Sequence, residues 1–275
     1  MKKWYAVLGD PIAQSMSPVM HDQWCHENEL NATYIPIHVE PQQLEQAVQS
    51  LRTLGCSGWN VTVPHKQTII PFLDEVDESA SVMNAVNTVY RDPNGKLIGA
   101  NTDGAGFVKS LQEFTGDSHT NRKVLIVGAG GAARGIAFAL QSAGYGPIYF
   151  TNRTTSKAAE LASQIQNAHV ITVEEAEERL DEFGLVVQTT SVGMNFAQAG
   201  MPLNPKNVTS GSIVADIIYN PLETEFLRAA KQAGALTMNG VGMFVHQGAL
   251  AFEKWTGVYP DTKKMIETIT MKVGG

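Results

Sequence analysis

The chain has 275 residues, of which 43% are hydrophobic and 17% charged, and its formal net charge is -7. This composition excludes a disordered chain and is typical of a globular protein with one large domain or two of ordinary size. The negative charge argues against a general nucleic-acid or membrane-surface binder, although it permits a local basic pocket.

The cysteines and the first ten residues indicate a cytoplasmic location. Cys25 and Cys56 have neither C-x-x-C nor zinc-site spacing, so we predict buried thiols in a reducing compartment. The opening MKKWYAVLGD enters a strand pattern without the apolar segment of a signal peptide. No run approaches the ~18 apolar residues of a membrane span.

Strand and helix patterns alternate over the first hundred residues, which predicts a small α/β domain with its own open sheet. Strands are predicted at residues 4–8, 33–38 and 58–61, and a hairpin over 88–98 turns at DPNG. One helix is predicted to begin at Ser17-Pro18, with Ser17 as its cap. A second helix is predicted over residues 41–54, and a weak helical pattern covers residues 73–80. A helix from Asn101 through Leu111 would cross into a second domain.

The alternation restarts after a polar linker over residues 115–122. Strands are predicted at 124–127, 148–151, 169–172, 185–189 and 212–216, with helices at 156–166 and 174–180. This predicts a doubly wound nucleotide domain that is shorter than the full six-strand form. Helices at 244–255 and 262–273 have no strand between them, so we expect them to return to the first domain. The predicted domains are residues 1–102 with 241–275, and residues 103–240.

The stretch KVLIVGAGGAARG, residues 123–135, predicts a strand, a glycine turn and a helix in direct succession. That context gives weight to a G-x-G-x-x-A dinucleotide fingerprint, which alone is a weak signal. Gly128 would make the tight turn, Gly130 would let the backbone approach a pyrophosphate, and Ala133 would keep the helix close to the sheet. The diphosphate would bind at the helix N-terminus. A plain strand-to-helix turn is the alternative.

The end of the next strand decides between two cofactors. An acidic residue at this place would bind the free 2′-hydroxyl of NAD. This chain instead has Arg153, with Thr154, Ser156 and Lys157 close behind. Because a guanidinium fork suits a phosphate, the sequence predicts NADP over NAD. An exposed basic helix start is the alternative.

Polar motifs in the first hundred residues indicate a ligand site. Ser15 and Ser17 place two hydroxyls where a strand leads into a helix, and such an end can bind a carboxylate. The alternative is that Ser17 only caps the helix. Asn60 and Thr62 share one face of an extended segment that ends just before Lys66.

Two of the candidate residues, Lys66 and Asp103, have simple structural alternatives. Most lysines are solvated, so Lys66 alone is weak evidence of catalysis. Asp103 lies in the string NTDG, which is also a good helix cap, and Asn87 adds an amide beside the hairpin.

Nine strings in chain order resemble those of shikimate dehydrogenases over nearly the whole length. They are GDPIAQSMSPVMH, NVTVPHK, AVNTV, NTDGAGF, GAGGAARG, NRT, TTSVGM, DIIYNPLETEFL and NGVGMFVHQGALAFEKWTG. The resemblance implies an open α/β substrate domain, a doubly wound Rossmann-like NADP domain and C-terminal helices that return to the first domain. It also implies the reversible NADPH-dependent reduction of 3-dehydroshikimate to shikimate, on the route to aromatic amino acids. One departure is Gln188, which stands where an Asn is usual.

The resemblance also assigns roles to individual residues. Lys66 would be the acid/base, and Lys66 and Asp103 would flank the reacting C3 oxygen, where a carboxylate favours the protonated lysine. The other residues that would bind substrate are Ser15, Ser17, Asn60, Thr62, Asn87, Tyr219 and Gln247. The residues that would line the cofactor site are Glu78, Gly128, Ala129, Gly130, Gly131, Ala132, Asn152, Arg153, Thr154, Thr155, Ser156, Lys157, Ile217 and Gly240.

Two other functions stay open. A relative that also oxidises quinate, often with NAD, would differ in the pocket near Ser15, because quinate carries an extra hydroxyl on the carboxylate-bearing carbon. A non-catalytic NADP-binding regulatory paralogue would be expected to lack Lys66 or Asp103, and both are present. We expect a small-molecule substrate, no nucleic acid, membrane or metal partner, and a monomer or homodimer.

Overall fold

The computed structural model describes residues 2–116, 122–194 and 198–275, so most of the expected linker over residues 115–122 lies outside the described residues. The chain forms two compact units. One consists of Met1–Thr102 and Gln247–Met265, and the other of Asp103–His246 and Ile266–Gly275.

The first unit is built on a mixed six-stranded sheet in the order β2-β1-β3-β5-β6-β4. Strand β1 is parallel to β2 and β3, β5 is antiparallel to β3 and β6, and β4 is parallel to β6. The predicted hairpin is confirmed, with Asp92 Oδ1 accepting hydrogen bonds from the backbone N–H groups of Asn94 and Lys96 in its turn. The strands are β1 (Lys3–Gly9), β2 (Ala32–His38), β3 (Gly58–Val61), β4 (Glu75–Val76), β5 (Thr88–Arg91) and β6 (Leu97–Ala100).

Helices α1 (Ser17–Glu27), α2 (Leu44–Thr53) and α3 (Glu78–Met83) belong to the same unit. The weak helix predicted over residues 73–80 is wrong for its first part, because β4 pairs with β6 there and the Asp77 N–H donates to the Gly99 carbonyl. Helix α3 starts only after Asp77, whose carboxylate caps it by accepting from the Ala80 N–H at 3.2 Å.

The second unit contains a six-stranded parallel sheet in the order β12-β11-β10-β7-β8-β9. This is the full strand order of a doubly wound nucleotide fold, so the prediction of a shorter sheet is wrong. The missed strand is β12, a three-residue edge strand whose Leu236 is 53% exposed and which gives no apolar run. The strands are β7 (Val124–Val127), β8 (Ile148–Thr151), β9 (Ala168–Val170), β10 (Leu185–Gln188), β11 (Ile213–Asp216) and β12 (Leu236–Met238).

Apolar clusters cover both faces of this sheet, as buried parallel strands require. Helices α4 and α5 approach closely, because a Cβ on Gly104 would lie 2.2 Å from the Gly135 carbonyl oxygen. The helices of this unit are α4 (Asp103–Thr115), α5 (Gly131–Ser142), α6 (Thr155–Ala162), α7 (Val173–Glu178) and α8 (Glu225–Gln232).

The last two helices, α9 (Val241–Thr256) and α10 (Thr262–Gly274), each have residues in both units. Helix α6 is shorter than the predicted 156–166. The two-domain α/β class is confirmed, and both cysteines are free and buried, as predicted. Among the described residues, no helix has the length and hydrophobicity needed to cross a bilayer.

Candidate active site

In the first unit, three amide side chains from distant parts of the chain come together. Asn60 lies in β3, Asn87 precedes β5, and Gln247 lies in α9. Asn60 Nδ2 donates to the Asn87 carbonyl at 3.1 Å, and Asn87 Nδ2 donates to Gln247 Oε1 at 3.4 Å. Asn60 and Asn87 are 7% and 3% exposed and Gln247 is half-buried, so this is a largely buried cluster of neutral polar groups. Such groups suit the hydroxyls of a small polar ligand.

The amide of Asn87 is held from several sides. Its Oδ1 accepts from the backbone N–H of Thr102 at 2.9 Å and from the Thr88 hydroxyl at 2.8 Å, and its Nδ2 donates to the Thr102 hydroxyl at 3.0 Å. Because these bonds fix the positions of the oxygen and the nitrogen, the orientation of this amide is set before any ligand arrives.

Lys66 lies on a loop that is tied to the same cluster. The Lys66 carbonyl accepts from the backbone N–H of Val86, next to Asn87, at 2.7 Å. The neighbouring His65 is fully buried and bonds through Nε2 to the Val39 carbonyl at 2.6 Å. Thr62 begins this loop and is half-buried. The lysine is therefore anchored through its backbone to the residue before Asn87, and it is half-buried.

Ser15 and Ser17 lie at the start of α1. The helix begins at Ser17 with Met16 in the cap position and no side-chain cap, so the interpretation of Ser17 as an N-cap is wrong. The Ser17 N–H instead donates to Ser15 Oγ at 3.3 Å. Capping therefore does not account for the Ser17 hydroxyl.

The second unit contains the glycine turn between β7 and α5. Gly128 has φ +117°, and a Cβ there would lie 2.5 Å from Thr189 Oγ1, so only glycine fits. A Cβ on Gly130 or Gly131 would meet no protein atom within 4 Å. Gly130 is the N-cap of α5 and has no side chain to cap the helix. The first backbone N–H groups of α5 can therefore bind an anion together. Ala129 and Ala132 are half-buried in the same turn. The turn leaves space where a diphosphate would approach the backbone.

The loops after β10 and β11 lie at the carboxyl edge of the same sheet, where nucleotides bind in such folds. A Cβ on Gly240 would lie 2.1 Å from the Ile217 carbonyl oxygen, so two predicted cofactor residues are in direct contact. Gln188, the departure from the family pattern, is fully buried and its Nε2 donates to the carbonyls of Thr190 and Val192 at 3.0 and 3.1 Å. The longer side chain thus fixes the loop that follows β10.

The segment after β8 is exposed and basic. Asn152 Nδ2 donates to the Thr154 carbonyl at 2.9 Å, which shapes a turn directly before α6. Arg153 and Lys157 are exposed at this turn. Thr154, Thr155 and Ser156 complete the predicted set and are also exposed.

Three further predicted residues have their own places within the two units. Asp103 is the first residue of α4 and is half-buried. The Tyr219 ring stacks on Phe244 with centroids 4.9 Å apart, and burial raises the pKa of Tyr219. Glu78 is exposed in the first turn of α3 and so belongs to the first unit, unlike the other predicted cofactor residues. Within the described part of the chain, no three His, Cys, Asp or Glu side chains form a metal cluster.

Comparison with known proteins agrees with these two halves. Family models match three segments: a shikimate dehydrogenase substrate-binding domain at residues 7–89, a shikimate/quinate 5-dehydrogenase domain at 110–218, and a shikimate 5′-dehydrogenase C-terminal domain at 240–270. An NADP(+) shikimate dehydrogenase of Lysinibacillus sphaericus is 54% identical over 275 residues, covering 100% of both chains.

The chain belongs to the shikimate dehydrogenase family.

Solved structures of the family have the same fold. The shikimate 5-dehydrogenase of Thermus thermophilus, in complex with NADP(H) and shikimate, has a TM-score of 0.89 and 35% identity, covering 98% of this chain and 99% of its own. A quinate dehydrogenase of Corynebacterium glutamicum, in complex with NAD, has a TM-score of 0.90 and 31% identity, covering 98% and 99%. Shikimate and quinate dehydrogenases thus share this architecture, so the fold alone does not separate them.

The sequence did not point to several residues that hold the site. Tyr34, Thr88 and Thr102 all bond to the amide cluster, although each lies in an ordinary strand or helix-start pattern. A hydroxyl at a fully buried position was the one available signal, because buried polar groups require partners. Their partners are distant in sequence and so could not be named in advance.

Proposed function

We propose that this protein is an NADP-dependent shikimate dehydrogenase that reversibly reduces 3-dehydroshikimate to shikimate. The observation that carries the proposal is the largely buried amide cluster of Asn60, Asn87 and Gln247, tied through a backbone hydrogen bond to the Lys66 loop. A polyhydroxylated ring needs fixed, neutral hydrogen-bonding groups beside a proton donor, and this unit supplies both.

Ser15 and Ser17 are proposed to bind the substrate carboxylate. Ser15 precedes α1 and Ser17 is its first residue, at the helix end where hydroxyls and backbone N–H groups favour an anion. Thr62 and Gln247 are proposed to bind ring hydroxyls together with the two asparagines, and Tyr219 to contribute near the carboxylate.

Lys66 is proposed as the acid/base. Bound NADPH supplies the hydride that reduces the ketone. The oxygen then gains negative charge, and a protonated Lys66 amine stabilises this charge and donates the proton. In the oxidation direction the neutral amine accepts the proton from the hydroxyl. Asp103 is proposed as the second catalytic residue, with its carboxylate favouring the charged lysine.

The residues present fit NADP. The absence of a Cβ at Gly130 and Gly131 leaves room for a diphosphate at the start of α5. Arg153, with no acidic neighbour at the end of β8, offers a fork for a 2′-phosphate. The proposed 2′-phosphate site also includes the residues on either side of Arg153 in sequence, which are Asn152, Thr154, Thr155, Ser156 and Lys157. The rest of the cofactor site is proposed to be lined by Ile217, Gly240 and Glu78.

A matrix of two substrates and two cofactors tests the proposal. Initial rates would be measured with shikimate or quinate and with NADP+ or NAD+. We expect kcat/KM to be highest for shikimate with NADP+, and at least about tenfold lower when either component is exchanged. A higher value for quinate with NAD+ would favour the quinate dehydrogenase alternative. No turnover of either substrate, together with tight NADP+ binding, would favour a regulatory paralogue.

We further propose that the enzyme works in the cytoplasm as a monomer or homodimer, without nucleic-acid or membrane partners. The two free, buried thiols and the net charge of -7 support this proposal. Sedimentation equilibrium of the purified protein would give the mass of the assembly, and a tetramer would contradict it.

A further inference from the structure

We infer that Tyr34 is a positioning residue that holds Asn60 Oδ1 in place as a hydrogen-bond acceptor for one substrate hydroxyl. The inference rests on the proposed function for the identity of the substrate. Its structural part concerns only hydrogen bonds within the first unit. Tyr34 lies on β2, and its hydroxyl donates to Asn60 Oδ1 at 2.7 Å.

The hydrogen-bonding capacity of the Asn60 side chain is almost used up. An asparagine amide has two N–H donors and two lone pairs on its oxygen. Both donors have partners, the Asn87 carbonyl at 3.1 Å and the Thr88 hydroxyl at 3.2 Å. Tyr34 occupies one lone pair of Oδ1. The second lone pair is the remaining capacity, so Asn60 can bind a ligand hydroxyl only by accepting its proton.

Two partners hold this amide. The Asn87 carbonyl can only accept, so it fixes the Asn60 nitrogen, and the Tyr34 hydroxyl donates to the oxygen and fixes its position. Replacing the phenol by phenyl removes this restraint and leaves a buried acceptor without that partner, which is unfavourable. A displaced oxygen would accept less well from a ligand hydroxyl, so the preference for a hydroxyl that donates would be reduced.

The Tyr34 ring is itself held in place. It is 1% exposed and stacks on His21, with centroids 4.4 Å apart and planes 14° from parallel. Trp255 packs nearby, at 6.1 Å from the Tyr34 centroid and 5.2 Å from that of His21. Within the part of the chain that the structure describes, neither ring nitrogen of His21 has a hydrogen-bond partner.

The charge state of His21 suits this packing role. Burial lowers the pKa of His21 to about 3, and the nearby Asn60 side chain opposes that shift only in part. The imidazole is therefore neutral near pH 7 and acts as a flat aromatic surface. Burial also raises the pKa of Tyr34 well above its usual range, so the phenol keeps its proton and donates it.

Ser17 connects this group to the proposed carboxylate site. The nearby Ser17 side chain partly counteracts the effect of burial on the pKa of Tyr34. Ser17 and His21 lie four residues apart on α1, so they share one helix face. Tyr34 thus lies close to both Ser17 and Asn60.

The test compares Tyr34→Phe with Tyr5→Phe. Tyr5 is the matched control because it is also buried and stacks on Trp255, 5.0 Å away, while no described hydrogen bond joins it to Asn60. Initial rates would be measured with shikimate and with its 4-deoxy and 5-deoxy analogues. In the wild type, we expect one deoxy analogue to lose about 10- to 100-fold in kcat/KM, because it cannot donate to Asn60.

In Tyr34→Phe, we expect KM for shikimate to rise about 10- to 100-fold with KM for NADP+ unchanged. The penalty for that deoxy analogue should shrink to less than about threefold. Tyr5→Phe should retain the wild-type pattern. Equal losses for shikimate and both analogues would indicate a merely structural role and would overturn the inference. Unchanged kinetics would overturn it as well.

A second measurement is independent of turnover. In the wild type, the Asn60 side-chain amide should give two distinct, slowly exchanging proton signals in nuclear magnetic resonance spectra, because both protons are buried and bonded. Tyr34→Phe should shift or broaden these signals, and Tyr5→Phe should not. Unchanged signals in Tyr34→Phe would contradict the positioning role. A wild type without turnover would contradict the proposed function, while the amide signals would still decide the relationship between Tyr34 and Asn60.

Discussion

Asp216 Oδ2 accepts a 2.8 Å hydrogen bond from the hydroxyl of Thr224, the residue that caps α8. Its Oδ1 accepts from the Ile218 N–H at 3.0 Å. A single buried carboxylate at the end of β11 therefore holds both the loop containing Ile217 and the start of a helix. Burial raises the pKa of Asp216 to about 6, and the two hydrogen bonds only partly oppose this shift.

Asp216 is expected to make the protein less stable as pH rises from about 4 to about 6. In this window the folded state holds a proton that the unfolded state has released, so the free energy of unfolding falls with increasing pH. Asp216→Asn should remove this effect. In urea-unfolding measurements, the free energy of unfolding of Asp216→Asn minus that of the wild type should increase by on the order of 2–3 kcal/mol from pH 4 to pH 7.

Thr224→Val is the companion variant. It removes the hydroxyl that stabilises the ionised carboxylate, so the pKa of Asp216 should rise further and the free energy of unfolding should keep falling to a higher pH than in the wild type. Parallel curves for the wild type and Asp216→Asn would contradict the role given to this carboxyl.

Gly128 and Gly130 should respond differently to the same substitution. Gly128→Ala introduces a Cβ 2.5 Å from Thr189 Oγ1 at φ +117°, so the unliganded protein should lose more than about 1 kcal/mol of stability. Gly130→Ala meets no protein atom within 4 Å and should leave thermal stability unchanged. It should nevertheless weaken NADP+ binding at least about tenfold in calorimetric titration, because the methyl group occupies the approach of the diphosphate. Unchanged affinity in Gly130→Ala would place the diphosphate elsewhere.

Arg153 is expected to carry the preference for NADP+. Arg153→Ala should lower kcat/KM for NADP+ about 10- to 100-fold and leave the value for NAD+ nearly unchanged, because only the 2′-phosphate loses a charged partner. Lys206→Ala, which removes an exposed cation elsewhere in the second unit, is the matched control. The assignment would be contradicted if the ratio of kcat/KM for NADP+ to kcat/KM for NAD+ were the same in Arg153→Ala as in the wild type.

The sequence predicted much of the fold because its signals are local. Four apolar residues before Gly128 predicted β7, and DPNG predicted the β5–β6 hairpin. The short edge strand β12 was missed because its three residues have no periodic pattern and owe their conformation to pairing with β11. The residues near 75 form a strand for the same reason, since pairing with β6 overrides a weak helical preference.

The sequence could predict which residues belong to the candidate site. It could not predict the hydrogen bonds that join them. Tyr34 and Asn60 are 26 positions apart, and their hydrogen bond depends on the arrangement of β2, β1 and β3. Gln188 illustrates the same limit. Its change from the usual residue was visible in the sequence, whereas its bonds to the loop after β10 required the structure. The ligand roles of the predicted residues stay predictions.

The reduction of 3-dehydroshikimate by NADPH, measured for the wild type and for Lys66→Ala, tests the central proposal most directly. The wild type should oxidise NADPH and form shikimate in equal amounts. Lys66→Ala should lower kcat by about 10²- to 10⁴-fold with little change in KM, because the proton donor is lost while the binding groups remain. A wild type that leaves NADPH unoxidised would contradict the proposed function, and a Lys66→Ala variant that changes only KM would contradict the acid/base role of Lys66.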